Sequence, residues 1–177
     1  AAMQPFVDRG IAIVGLEPSC LLTLRDEMTA MGLGAPAQAL AARAVLLEEF
    51  LAAEASAGRL EPLKARLKPL ARPVLVHGHC HQKAFDAVSP VLSVLQLVPG
   101  VQPRLIESSC CGMAGSFGYE AKHHAVSMQM AELSLLPAVR AEPDALVVAD
   151  GTSCRHQIAD GAGRTAIHAA VLLAGQL

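Results

Sequence analysis

Cys110 and Cys111 are adjacent and Gly112 follows them, within the run Ile106-Glu107-Ser108-Ser109-Cys110-Cys111-Gly112-Met113-Ala114-Gly115-Ser116-Phe117-Gly118. Neighbouring side chains of an extended chain point to opposite faces. Both thiols can therefore face one point only where the backbone turns, and glycine permits such a turn through positive φ. Alone, the pair has plainer readings too: two half-buried free thiols beside a loop, or a strained vicinal disulfide, since free cysteine is among the residues most often buried. The positions of the remaining cysteines narrow the choice.

Four short apolar runs, at 10–16, 73–78, 101–107 and 144–149, have the pattern of parallel strands, the first as a strand covered on both faces. Between and after them the spacing predicts helices over 21–31, 36–57, 82–97, 119–135, 154–159 and 166–175, with a short helix and connector over 60–70. In 36–57 Leu40, Ala44, Leu47 and Leu51 keep helical spacing, Arg43, Glu48 and Glu49 lie off that stripe, and Gly58 caps the end. In 119–135 Val126, Met130 and Leu133 are expected to face the core. Strands alternating with helices predict right-handed βαβ units. The expected fold is α/β, a mostly parallel sheet of about four strands with helices on both faces. A length of 177 residues suits one domain, and with 53% hydrophobic but only 3% aromatic residues the core must be built from Leu, Val, Ile, Ala and Met.

Every cysteine follows one of these strands: Cys20 the first, Cys80 the second, Cys110 and Cys111 the third, Cys154 the fourth. That edge of an open α/β sheet is where ligands bind. Neighbouring strands would bring Cys80, Cys110, Cys111 and Cys154 together, and soft thiolates select an iron-sulfur cluster or zinc. Helix N-termini just beyond Cys80, Cys111 and Cys154 would offset the charge of thiolates. Five is an odd count, and Ala1-Ala2-Met3-Gln4-Pro5 is not the start of a secretory signal, so the cysteines are expected as thiols or metal ligands in the reducing cytoplasm. A net charge of -2 without a Lys/Arg cluster argues against nucleic acid or an anionic membrane surface as main partner, and no apolar run reaches bilayer length.

His77, His79 and His81 alternate beside Cys80 and are expected to hydrogen-bond sulfur or backbone, with ligation the alternative, His81 being the candidate ligand among them. His156, two residues after Cys154, is a further candidate ligand. His123 and His124 are expected in solvent, and His168 local to the last helix. The spacing Gly112-x-x-Gly115-x-x-Gly118 allows a phosphate cradle but is not the dinucleotide fingerprint. The sequence offers neither a Ser/His/Asp arrangement nor an acid/base pair flanking the loop, so the chain alone is not expected to be catalytic.

The chain also repeats itself. Val14-Gly15-Leu16-Glu17-Pro18-Ser19-Cys20 parallels Val148-Ala149-Asp150-Gly151-Thr152-Ser153-Cys154 in order: strand end, acidic residue, turn, Ser-Cys, helix. With His79-Cys80-His81, the Cys110-Cys111-Gly112 loop with Gly115 and Phe117, and the Ser153-Cys154 turn, residues 10 to 175 resemble the cysteine-rich CCG domain. That family includes the catalytic subunit of heterodisulfide reductase and the iron-sulfur portions of glycolate oxidase, lactate-utilisation and anaerobic glycerol-3-phosphate dehydrogenase systems. The phrases 15–20 and 149–157 are more similar still to the C-terminal region of large FAD-linked oxidases of the D-2-hydroxyglutarate dehydrogenase type.

The resemblance implies a single CCG-type domain over 1–177, part of a larger oxidoreductase, with its second repeat complete and its first truncated. Carried over by position, Cys80 is the first cysteine of the repeat, Cys110 and Cys111 the pair, and Cys154 the opening of the final element. At Gln157 the chain departs from the family pattern, which has its last cysteine there. Four thiolates remain, with His81 or His156 as helpers, for a [4Fe-4S] cluster or zinc. Cys20 would belong to the first repeat and be a free thiol here, with a place among the metal ligands as the alternative. The implied function is electron transfer in a flavin-dependent 2-hydroxy acid dehydrogenase system. FAD would sit in a separate flavin-binding domain or subunit, an electron acceptor would complete the path, and any membrane attachment would be peripheral, through a partner. The alternatives are a structural zinc or metal-free interaction module of the same enzyme and a thiol redox protein using Cys110 and Cys111.

Overall fold

The structure, a computed structural model, describes residues 2–177. Its first part runs α1 (Gln4–Asp8), β1 (Ile13–Gly15), α2 (Pro18–Arg25), α3 (Glu27–Ala30), α4 (Ala35–Ala41), β2 (Ala44–Leu46) and α5 (Leu47–Ser56). β1 and β2 pair in parallel, Ile13 opposite Ala44 and Gly15 opposite Leu46. The second part continues with α6 (Glu61–Lys64), β3 (Val74–Val76), α7 (Cys80–Ala84), α8 (Val88–Leu95), β4 (Pro103–Leu105), a 3-10 turn at Phe117–Tyr119, α9 (His124–Glu132), α10 (Leu135–Ala141), β5 (Leu146–Val148), α11 (Thr152–Ala162), β6 (Ala166–Ile167) and α12 (Ala169–Gly175). Its four strands are all parallel, in the order β4-β3-β5-β6.

Alternation along β3 and β5 splits the core into two layers. Val74, Val76 and Val148 face α8 and α12 through Val91, Leu95 and Leu172. Leu75 and Val147 face α10 and α11 through Leu135, Val139 and Ile158. The expected α/β architecture with both faces covered is therefore present. Among the described residues no helix is long and apolar enough to cross a membrane.

Several elements differ from the sequence expectation. The helix expected over 36–57 is interrupted by β2, because β1 needs a partner: Ala44 and Leu46 are buried and Val45 less so, the alternation of a strand rather than a helical stripe. The first run, expected as a strand covered on both faces, instead belongs to this separate pair and leaves Val14 42% exposed. The helix expected over 82–97 breaks into α7 and α8 at Asp86, which takes φ +54°. In α9 the face is reversed. Ser127 and Ala131 point inward and Val126, Met130 and Leu133 outward, Leu133 being 80% exposed. Gln157 on α11 fixes that choice, its Nε2 donating to the Ser127 carbonyl at 3.0 Å and hydroxyl at 2.9 Å. Finally, β6 occupies the start of the segment expected as helix over 166–175.

Candidate functional site

The ends of three adjacent strands supply the site. After β3 the chain passes His77 and Gly78 to His79, which caps α7, so Cys80 is the first residue of that helix. After β4 comes the loop with Cys110 and Cys111, and after β5 the turn Asp150-Gly151 caps α11, whose third residue is Cys154. The four cysteines meet at these strand ends: the Sγ atoms of Cys111 and Cys154 are 3.4 Å apart, and Cys80, Cys110 and Cys111 line one cavity. Two glycines make the approach possible. Gly112 has φ +91°, and a Cβ there would run into the Ser127 carbonyl. A Cβ on Gly151 would lie 2.6 Å from the His79 ring and 3.2 Å from Cys154 Sγ.

Hydrogen bonds divide the thiols into two kinds. Cys110 is pulled well below the usual thiol range, chiefly by the bond from Cys111, then by Cys80 and the Gly112 and Ala114 amides. The Gly112 amide donates to its sulfur at 3.3 Å. Cys154 falls to about 5 through its hydrogen bond with Cys111, burial opposing the shift and the nearby His77 ring adding to it. Cys80 is pushed up by its bond to Cys110 and by burial, and Cys111 by its bonds to Cys110 and Cys154. Lys83 approaches from α7, its ammonium donating to the carbonyls of Ser108 and, at 2.9 Å, Ser109. Burial lowers the Lys83 pKa while the neighbouring thiolates oppose that shift.

His77 stands behind the sulfurs, 1% exposed. One of its nitrogens and the Cys111 and Cys154 sulfurs lie within 4.8 Å of one another. Its Nδ1 is 2.9 Å from Ser108 Oγ, while Nε2 is buried without a partner. Lys83 donates to that hydroxyl at 3.4 Å and the hydroxyl donates to the Ile106 carbonyl at 3.5 Å. The remaining lone pair of Ser108 then accepts from Nδ1–H, which leaves a free lone pair on Nε2. His79 serves the backbone, its Nδ1 accepting from the His81 amide at 3.2 Å, and lies 3.9 Å from Cys80 Sγ.

A cavity of about 620 Å³ opens in front of the thiols, walled by Cys80, Cys110, Cys111, His81 and Tyr119 and, from the other part of the chain, Cys20 and Glu17. Cys20, assigned by sequence to a different repeat, is thus on the wall of the same cavity, at an exposed position. Cys154 is buried behind it. His156 is exposed and its Nδ1 is 2.6 Å from the Tyr119 hydroxyl, so it belongs to the rim. His123, expected in solvent, stacks on Phe117 with ring centres 4.1 Å apart. His168 caps α12 as a local residue would, accepting from the Ala170 amide, but also reaches the Leu16 carbonyl.

The repeat marks Glu17 as the acidic residue of the first turn but gives it no role. Its carboxylate accepts from the Thr152 amide at 2.9 Å and hydroxyl at 2.7 Å and from Ser19 Oγ at 2.9 Å, joining the two Ser-Cys turns. Burial alone would raise its pKa, but the bonds from Thr152 and Ser19 hold it below the usual carboxylate value.

Comparison with known proteins places the chain beside dehydrogenases. It is 28% identical over 169 residues to a subunit of the anaerobic glycerol-3-phosphate dehydrogenase of Escherichia coli (strain K12), covering 96% of this chain and 41% of that protein. It is 30% identical over 150 residues to D-2-hydroxyglutarate dehydrogenase of the same strain, covering 84% of this chain and 14% of that protein. The corresponding enzyme of Haemophilus influenzae is 28% identical over 159 residues, with the same two coverages. The chain therefore spans less than half the length of the first relative and about a seventh of the others. No family model matches the sequence, and no solved structure matches it.

Proposed function

We propose that this chain is a CCG-type electron-transfer module of a larger flavin-dependent 2-hydroxy acid dehydrogenase system, with Cys80, Cys110, Cys111 and Cys154 holding a [4Fe-4S] cluster. The observation that carries the proposal is the convergence of four cysteines at three adjacent strand ends, with the Cys111 and Cys154 sulfurs in contact. The donor set suits a soft metal, with two sulfurs already drawn toward the thiolate form and a free imidazole nitrogen of His77 behind them. The cavity in front of Cys80 and Cys110 leaves room for an inorganic centre larger than one ion. Bound there, such a cluster would supply storage and release of single electrons. The chain's own part is to hold the sulfurs, offset their charge through Lys83 and the Gly112 and Ala114 amides, and offer an open face to a redox partner. FAD and the substrate site would belong to another domain or subunit, in keeping with the small fraction of the D-2-hydroxyglutarate dehydrogenases that the chain covers.

One observation favours a second reading, a single zinc ion. Metal–sulfur bonds of about 2.3 Å at tetrahedral angles put sulfurs roughly 3.8 Å apart, near the 3.4 Å between Cys111 and Cys154. Anaerobic reconstitution with iron and sulfide, followed by metal analysis and visible spectra, decides between them. A coloured protein that bleaches with dithionite, and loses most of its iron in each Cys→Ser variant at 80, 110, 111 and 154, is the expected result. A colourless protein retaining one zinc per chain supports the second reading. Unchanged metal content in Cys111→Ser overturns both.

A further inference from the structure

A second group of metal-ligating side chains lies at the same edge, outside the cysteine site. Glu48 is two residues past the end of β2, Asp150 two past β5 and His168 one past β6. All three are buried, Glu48 at 1% exposure, and one donor atom from each lies within 4.8 Å of the others. His168 Nδ1 is 3.7 Å from Glu48 Oε1 and 3.6 Å from Asp150 Oδ1. Ligand bonds of about 2.1 Å meeting at tetrahedral to trigonal angles put donor atoms roughly 3.4–3.6 Å apart.

We propose that Glu48, Asp150 and His168 form a site for one divalent cation that prefers oxygen and imidazole donors, and that this cation ties the two-stranded sheet to the four-stranded one.

The surroundings are those of a ligand set. His168 donates Nε2–H to the Leu16 carbonyl at 2.8 Å, which fixes the tautomer with the Nδ1 lone pair toward the carboxylates, as ligating histidines are commonly held. Asp150 is oriented by Gln82 Nε2 at 2.8 Å on Oδ2 and by the Ala169 amide at 3.0 Å on Oδ1. Both oxygens of Glu48 are buried without a hydrogen-bond partner, and among the described residues neither carboxylate is paired with a lysine or arginine. Two buried carboxylates with no basic partner match the charge of a divalent ion. Burial, then the charge of Asp150, pushes the Glu48 carboxyl up to about 8. The Ala170 amide now takes the Nδ1 lone pair at 3.0 Å; the cation replaces that bond, and α12 keeps its Ala169 contact to Asp150.

Mn2+ is the probe, since it competes poorly for thiolates. Titration of the whole chain, followed by loss of the free-ion paramagnetic resonance signal, should show one bound Mn2+ and a raised Tm. Glu48→Gln should weaken binding by about tenfold or more and abolish the Tm shift, while Cys111→Ser binds Mn2+ as the parent does. No uptake at millimolar Mn2+, or uptake unchanged in Glu48→Gln, overturns the site. Iron or zinc content of the cysteine site is measured on the same samples, so failure here is distinct from failure there.

Discussion

The turns ending in Cys20 and Cys154 are built alike and end in different places. Each follows a parallel strand, each begins its helix from an extended capping residue (Glu17 at φ −96°, ψ 113°; Gly151 at φ −70°, ψ 128°), and in each the cysteine is the third helical residue. Yet Cys154 is buried against Cys111, while Cys20 is exposed on the cavity rim. The difference comes from the neighbours. β5 is flanked by β3, and β3 by β4, whose ends deliver Cys80, Cys110 and Cys111. β1 pairs with β2, whose end delivers Glu48 and no thiol. A strand, a turn and a cysteine do not gather thiols; the adjacent strand ends do.

At the position aligned with Asp150 the first turn has Leu16, 54% exposed, so only the second turn has a carboxylate against Glu48. The largest expected effect tests that asymmetry. Glu48 carries a folded pKa of about 8 against 4.5 for the free side chain. Between those values the unfolded chain has lost its proton and the folded one keeps it, so metal-free stability falls as pH rises from 4.5 to 8. Glu48→Gln removes this dependence. Its stability relative to the parent should grow by on the order of 3–4 kcal/mol between about pH 5 and about pH 8. Urea unfolding at both pH values with a chelator present measures it, and a gap that does not change with pH would remove the buried-acid account of the second turn.

Much of this arrangement follows from the sequence and part of it cannot. The three longer apolar runs of the second part give β3, β4 and β5, and placing each cysteine after a strand follows from reading where those runs stop. β2 is hidden because Ala44 and Leu47 satisfy helical spacing equally well, and only pairing with β1 decides. The inward face of α9 is hidden because it is small and polar: Gln157 bonding to Ser127 outweighs the burial of Val126 and Met130. The Gln157 side chain is itself committed to α9 through these bonds. The free nitrogen of His77 and the burial of Glu48 are properties of neighbours brought in from other strands, which no local pattern encodes.

A smaller effect is expected at the joint between the turns. Glu17→Gln keeps the shape but weakens acceptance from the Thr152 amide and hydroxyl, and should cost about 1 kcal/mol at neutral pH after allowing for its partial exposure. The folded pKa of Glu17 is lowered, so its contribution is present above the unfolded value and is lost as pH falls through the folded one. The variant and parent should therefore converge in acid; an equal deficit at low pH would mean that Glu17 acts through packing and not through its charge.

The smallest effect on stability, and the clearest contrast between the turns, concerns Cys20 itself. Cys20→Ser should leave stability within about 0.5 kcal/mol of the parent, as expected for an exposed position. Its thiol is nevertheless the one open to reagents once metal fills the other site, because alkylation requires access as well as thiolate character. Cys154 is buried, and Cys80, Cys110 and Cys111 would be held by the metal. In the metal-loaded protein a mild alkylating reagent followed by peptide mapping should mark Cys20 first and spare Cys80, Cys110, Cys111 and Cys154. Since Cys20 shares the cavity wall with Cys80 and Cys110, the opposite pattern has a definite meaning. Protection of Cys20 on metal loading, with Cys80 left open to the reagent, would make Cys20 a ligand contributed from the other part of the chain, and the two turns would then serve one centre from opposite sides.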